Sequence, residues 1–95
     1  MNLKDLLDRG IISADIAVAI QIYQSQPCWF RKLVEDFEGI LDKGAVSHSI
    51  TTCCDWGIVE GYYGETTPGK AGRLFRITHW SVSMVEGVID KVRDA

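Results

Sequence analysis

Cys53 and Cys54 stand side by side, shortly after His48, while Cys28 and His79 lie elsewhere in the chain. Thiolates and imidazoles suit zinc or copper. Yet adjacent helical residues project about 100° apart, and the chain has no Cys-x-Cys or His-x-x-x-His spacing. No metal site and no cofactor is therefore expected, and the cysteines read as small buried apolar groups. Nucleophilic catalysis would need a base and an orienting acid beside a thiol or hydroxyl. No spacing supplies them, so an enzyme is not expected either. What remains is hydrogen-bonding and cationic chemistry. Ser47, His48, Thr51 and Thr52 fall together on one side of a helix. Lys70, Arg73 and Arg76 lie within residues 66–78, a stretch that holds no acid. Hydroxyls and cations of this kind contact phosphates and base edges.

The elements that would position these groups follow from local pattern. Residues 2–8 can form a short helical turn closed by Gly10. Ser13 suits a helix N-cap, and Ile16, Ala17, Ile20 and Tyr23 recur on one face beyond it. Val18, Ala19 and Ile22 make the other side apolar too, which predicts a central helix or one shared with a partner subunit. A second helix is predicted from Pro27, at its first position, through Trp29, Phe30, Leu33, Val34, Phe37, Ile40 and Leu41, with Gly39 an oddity inside it. The third helix, residues 45–56, places Val46, Ile50, Cys53 and Gly57 inward. Either Asp42 or Ser47 can cap it, and Gly57 suits its C-terminal stop. Counted from Ala45, it carries no Lys or Arg, and Asp55 adds a negative charge near its end.

Ile58 to Glu65 then predicts a strand, residues 66–72 a loop, and Arg73 to Thr78 a return strand with Phe75 and Ile77 on one face and Leu74 and Arg76 on the other. Ser83-Met-Val-Glu86 matches a capping box for a last helix, about residues 81–93. Its Gly87 suggests a close helix–helix approach. Trp56 is expected to pack against the hairpin or this last helix, and one of Tyr62 and Tyr63 to face outward.

The chain has 95 residues, one small domain by length. Its odd cysteine count argues against a disulfide framework, and it begins without the pattern of a secretory leader. A cytoplasmic compartment is expected. The longest apolar stretch, residues 11–23, is shorter than the ~20 residues of a membrane span. Net charge is −3, but unevenly spread. Residues 1–42 hold four bases against seven acids, whereas residues 66–78 hold three bases and no acid. A nucleic-acid surface needs local positive potential, not a basic whole chain.

The order helix, helix, helix, strand, loop, strand, helix resembles the winged helix-turn-helix superfamily, and within it small prokaryotic regulators of the ArsR, PadR and MarR kinds. The spacing Val46-x-x-x-Ile50-x-x-Cys53-x-x-x-Gly57-Ile-Val59 and the return strand Gly72-Arg73…Phe75-Arg-Ile-Thr78 carry the likeness, over roughly residues 13–92. The resemblance implies an α+β fold: a three-helix core with a two-stranded wing hairpin and a C-terminal helix, the core spanning residues 13–78 of a domain covering 1–95. It implies a transcriptional regulator that binds double-stranded DNA as a homodimer, without a membrane. Helix 45–56 would read the major groove and wing 64–73 would reach the backbone or minor groove. On that reading Ser47, His48, Thr51 and Thr52 are readers, Lys70 and Arg73 are wing contacts, and Arg76 is a further candidate. The acidic N-terminal third keeps open a winged-helix protein-interaction module that binds no DNA. A metal- or thiol-sensing regulator is a lesser alternative.

Overall fold

Three short polar side chains start three of the helices. In the computed structural model, which describes residues 1–95, Asn2 accepts the Asp5 backbone N–H at 3.1 Å and opens α1, Leu3–Asp8. Ser13 accepts the Ile16 N–H at 3.3 Å and opens α2, Ala14–Gln24. Asp42 accepts the Ala45 N–H at 2.7 Å and opens α4, Lys43–Asp55. Each cap satisfies a backbone donor that has no partner within its helix. Of the two candidate caps for the third sequence-predicted helix, Asp42 is the one used. That helix therefore begins two residues earlier than 45 and does carry a cation, Lys43, at its first position.

The second sequence-predicted helix is shorter than its apolar stripe. α3 spans Phe30–Asp36 and ends where Gly39 takes φ +78°, a left-handed conformation that glycine adopts without steric cost. Phe37, Ile40 and Leu41 continue the apolar spacing but lie in the turn that follows. Phe37 is fully buried there, and its carbonyl accepts the N–H groups of Ile40 and Leu41, each at 2.9 Å. Pro27 does not start the helix. It follows a cis peptide bond, and Cys28 beyond it forms an isolated antiparallel bridge to Phe75, whose N–H donates to the Cys28 carbonyl at 2.8 Å. This backbone pairing ties the α2–α3 connection to the hairpin.

The hairpin is longer than expected. β1, Val59–Thr67, pairs antiparallel with β2, Lys70–Ile77, leaving only Pro68 and Gly69 as the turn. Gly69 supplies the positive φ, +82°, and a bulge between Glu65 and Thr67 adjusts the register. Most of the stretch read as loop is thus strand. Register places Val59 opposite Ile77, Gly61 opposite Phe75 and Tyr63 opposite Arg73 on one face. Glu60, Tyr62, Arg76 and Leu74 occupy the other face, and Leu74 is nonetheless buried.

Three further expectations are not met within the chain. The Ser83 capping box does not form: α5, Val82–Arg93, already contains Ser83 and starts without a side-chain cap. Trp56 packs on neither hairpin nor last helix; it is 78% exposed. Gly87 meets no other element of its own chain, because a Cβ built there would contact nothing within 4 Å.

The core gathers Val18, Ile20 and Ile22 of α2, Leu33 and Phe37, Val46 and Ile50 of α4, Val59, Phe75 and Ile77 of the hairpin, and Val85, Ile89 and Val92 of α5. α2 runs through its middle, with Ala17 to Ile20 and Ile22 all buried. A polar latch closes the hairpin onto α5. The Thr78 hydroxyl donates to the Gly57 carbonyl at 2.7 Å and meets the Ser81 hydroxyl at 2.8 Å, while Trp80 Nε1 donates to the same carbonyl at 3.0 Å. Thr78→Val keeps the shape and removes the buried hydroxyl. The expected loss is about 1–2 kcal/mol of stability, read as a lower urea midpoint at unchanged slope.

Candidate nucleic-acid interface

α4 turns two unlike faces to its surroundings. Val46, Ser49, Ile50 and Cys53 are buried against the core, whereas Ser47, His48, Thr51 and Asp55 are exposed and Thr52 is half-buried. The 3.6-residue repeat dictates this division. The hairpin lies alongside. Between them runs an open groove of about 550 Å³, lined by Ser47, Ile50, Thr51, Cys54 and Asp55 of α4, by Phe30, and by Arg73 and Phe75 of β2.

The groove brings together three of the sequence-predicted residues: Ser47, Thr51 and Arg73. His48 and Thr52 sit on the same helix outside it. Lys70 stands exposed at the hairpin tip, next to the Pro68–Gly69 turn. Arg76 is separated from all of these. It belongs to the opposite hairpin face, where its Nε donates to Glu60 at 2.8 Å and its guanidinium lies 4.4 Å from the Tyr62 ring. Arg76 is thus held by its own hairpin.

Several groove residues are not among the sequence-predicted site residues. Phe30 and Phe75 supply aromatic walls, and each carries a cation: Lys43 Nζ lies 6.0 Å from the Phe30 ring and the Arg73 guanidinium 5.3 Å from that of Phe75. Only the choice of Asp42 as cap would have placed Lys43 on the helix. A cation in a helix's first turn opposes the helix dipole, so Lys43 stands where its own helix gains nothing from it.

The three thiols are held protonated by their surroundings. Burial raises Cys28 to about 11, with Lys32 opposing, and raises Cys53 to about 11, with the Asp15 charge adding to the effect. Burial also raises Cys54, against the pull of the neighbouring Arg73. Because the thiolate is the nucleophile and the metal ligand, such thiols are poorly reactive at neutral pH. No three His, Cys, Asp or Glu side chains converge. A stability consequence follows. In the unfolded chain Cys28 and Cys53 ionise near 9, in the folded chain near 11. Unfolding above pH 9 therefore releases protons, and the stability each buried thiol contributes below pH 9 is lost as pH rises to 11. The expected loss is roughly 2 kcal/mol for each of Cys28 and Cys53, seen as urea midpoints that fall between pH 9 and 11. Cys53→Ala should flatten that fall.

The helix α4, a glycine stop at Gly57 with φ +74°, and a two-stranded hairpin beside the exposed face of that helix define the winged helix-turn-helix fold. No family model and no curated protein matches the chain. Solved structures do match. A PadR family transcription regulator from hypervirulent Clostridium difficile R20291 superposes with a TM-score of 0.67 at 14% identity, covering 85% of this chain and 88% of that one. A PadR-like transcription factor from Bacteroides fragilis gives 0.66 at 12%, covering 99% and 91%. Pex from Synechococcus sp. strain PCC 7942 gives 0.63 at 13%, covering 99% and 96%. The shared property is the fold, α+β with the winged hairpin, as the sequence resemblance implied. No helix is long and apolar enough to cross a membrane.

Proposed function

We propose that the chain is a transcriptional regulator that binds double-stranded DNA in the cytoplasm, as a winged-helix domain spanning residues 1–95. α4 enters the major groove with Ser47, His48, Thr51 and Thr52 toward the bases, and the hairpin contacts the backbone through Arg73 and Lys70. The observation that carries this reading is the shared groove: Ser47, Thr51 and Arg73 face one another across a single exposed surface. Lys43 adds a cation at the α4 end. Arg76, paired with Glu60 on the far face, is left out of the contact set. The likeness in fold to transcription regulators gives independent support.

Dimerisation belongs to the same reading. Ile16 and Ala19 of α2, with Met84 and Val88 of α5, border an apolar groove that has only Asp15 as a charged neighbour, and Ile16 and Met84 are exposed. A second copy covering this strip would place two α4 helices on one duplex. The small number of cations makes a dimer the more effective binder, since affinity for DNA scales with phosphates neutralised.

Fluorescence anisotropy of labelled genomic duplex fragments at increasing salt tests the proposal. Binding that weakens linearly on a log–log plot against salt is expected. A specific observation favours one other reading: Trp56 and Trp80, 78% and 67% exposed, lie close to the α4 end and the start of α5 on an acidic chain. Exposed aromatics of this kind suit a protein partner. Absence of any anisotropy change on DNA, with a stable complex recovered in a pull-down, would favour that module.

A further inference from the structure

Arg73 does not point along the hairpin toward its tip. It pairs across the strands with Tyr63, but its guanidinium reaches diagonally back over Gly61, two residues nearer the helices, and over the ring of Phe75 at 5.3 Å. Gly61 is what makes room. A Cβ placed on it would stand 2.7 Å from Arg73 Nε, closer than real Cβ contacts come, and 3.0 Å from Nη2, so the flexible guanidinium end of Arg73 would have to move aside. The Gly61 φ is not positive, so the backbone there does not require glycine. A glycine inside a strand weakens it and often marks a close approach; here the approaching group is a guanidinium.

The direction matters because of what lies opposite. Arg73 lines the groove together with Ser47, Thr51, Cys54 and Asp55. Its charge is felt at the Cys54 thiol, where it opposes the effect of burial. The four ion pairs of the chain leave Arg73 out, although Asp55 shares its groove. A guanidinium with free donors thus faces two hydroxyls across an open channel.

We infer that Gly61 is a positioning residue: its missing side chain aims Arg73 away from the hairpin tip and into the α4 groove, where Arg73 binds a backbone phosphate at the edge of the major groove rather than the neighbouring minor groove. The inference rests on the DNA-binding reading above for its ligand, and on this hairpin's own geometry for the positioning. It divides the labour of the hairpin: Arg73 serves the strand beside α4 and Lys70 serves whatever the tip reaches.

The test titrates four proteins against duplex DNA at low salt: wild type, Arg73→Ala, Gly61→Ala and the double variant. Arg73→Ala is expected to weaken binding roughly tenfold and to lower the salt slope by about 1, equally on A·T-rich and G·C-rich duplexes. Gly61→Ala, which retains Arg73, is expected to do the same, with an unchanged or higher melting temperature because alanine is the better strand residue. The double variant should be no weaker than either single one. Gly61→Ala binding as wild type does, beside a weakened Arg73→Ala, would overturn the positioning. Losses confined to A·T-rich duplexes would overturn the phosphate assignment. A second measurement needs no variant and no DNA: wild type should show nuclear Overhauser contacts from the Arg73 side chain to Gly61 Hα and the Phe75 ring. If wild type binds no duplex, the DNA reading fails alone, and these contacts decide the positioning: their presence upholds it, their absence ends it.

Discussion

Replacing Lys70 and Arg73 together by alanine is expected to weaken binding to duplex DNA by roughly a hundredfold at low salt and to reduce the log–log salt slope by about 2. The magnitude follows from how few cations the surface owns. Lys43, Lys70 and Arg73 are the ones near α4 and the hairpin's outer end, and Arg76 is engaged with Glu60. Each phosphate neutralised releases counterions, so losing two of about three contacts removes most of the electrostatic attraction. The matching control is Lys91→Ala with Arg93→Ala in the last turn of α5. It changes net charge by the same amount with residues that do not line the groove. If charge acts by position, this control loses little. Equal losses in both proteins would show that only total charge matters and would remove the hairpin from the mechanism.

Phe37→Ala is expected to cost about 3–5 kcal/mol, a large part of the roughly 5–15 kcal/mol that holds a small domain folded. Phe37 is 1% exposed and among the largest fully buried side chains. It lies beyond the end of α3, so its contribution is packing and not helix propensity. Alanine leaves a void in the core cluster to which Phe37 belongs. Urea denaturation followed by tryptophan fluorescence should show a markedly lower midpoint. Phe37→Leu, closer in volume, should cost clearly less. A Phe37→Ala protein as stable as wild type would mean that the core is centred elsewhere.

These particular residues also show which features can be read from a sequence. The Ser13 cap, the inward Val46–Ile50–Cys53 ladder and the Gly57 stop depend on neighbours a few positions apart, and local pattern captures them. So does the alternation that puts Phe75 and Arg76 on opposite faces. The end of α3 was hidden because Ile40 and Leu41 keep the helical apolar spacing after Gly39 has turned the chain. The hairpin looks short because Pro68 and Gly69 interrupt the β-forming run at Thr66 and Thr67, and Ala71 and Gly72 are weak strand formers by type, so only cross-strand pairing extends the ladder through them. The Cys28–Phe75 bridge joins residues far apart in sequence and leaves no periodic trace. The site divides in the same way. Ser47 and Thr51 were found from helical phase. Arg73 was found from composition, but its direction was not, since the diagonal contact with Gly61 exists only once the register is fixed. Trp56 shows the limit most plainly: a large aromatic beside a glycine stop reads as core, and nothing local reveals that no element covers it.

The central claim is that one surface, made by the outward side of α4 and the groove-facing side of the hairpin, meets a DNA duplex. Amide chemical-shift mapping during addition of a duplex at low salt tests it most directly. The expected result is a contiguous set of perturbed residues at Ser47, His48, Thr51, Thr52, Lys70 and Arg73, fading as salt is raised. Perturbations confined to α2 and α5, or none at all on α4, would contradict it.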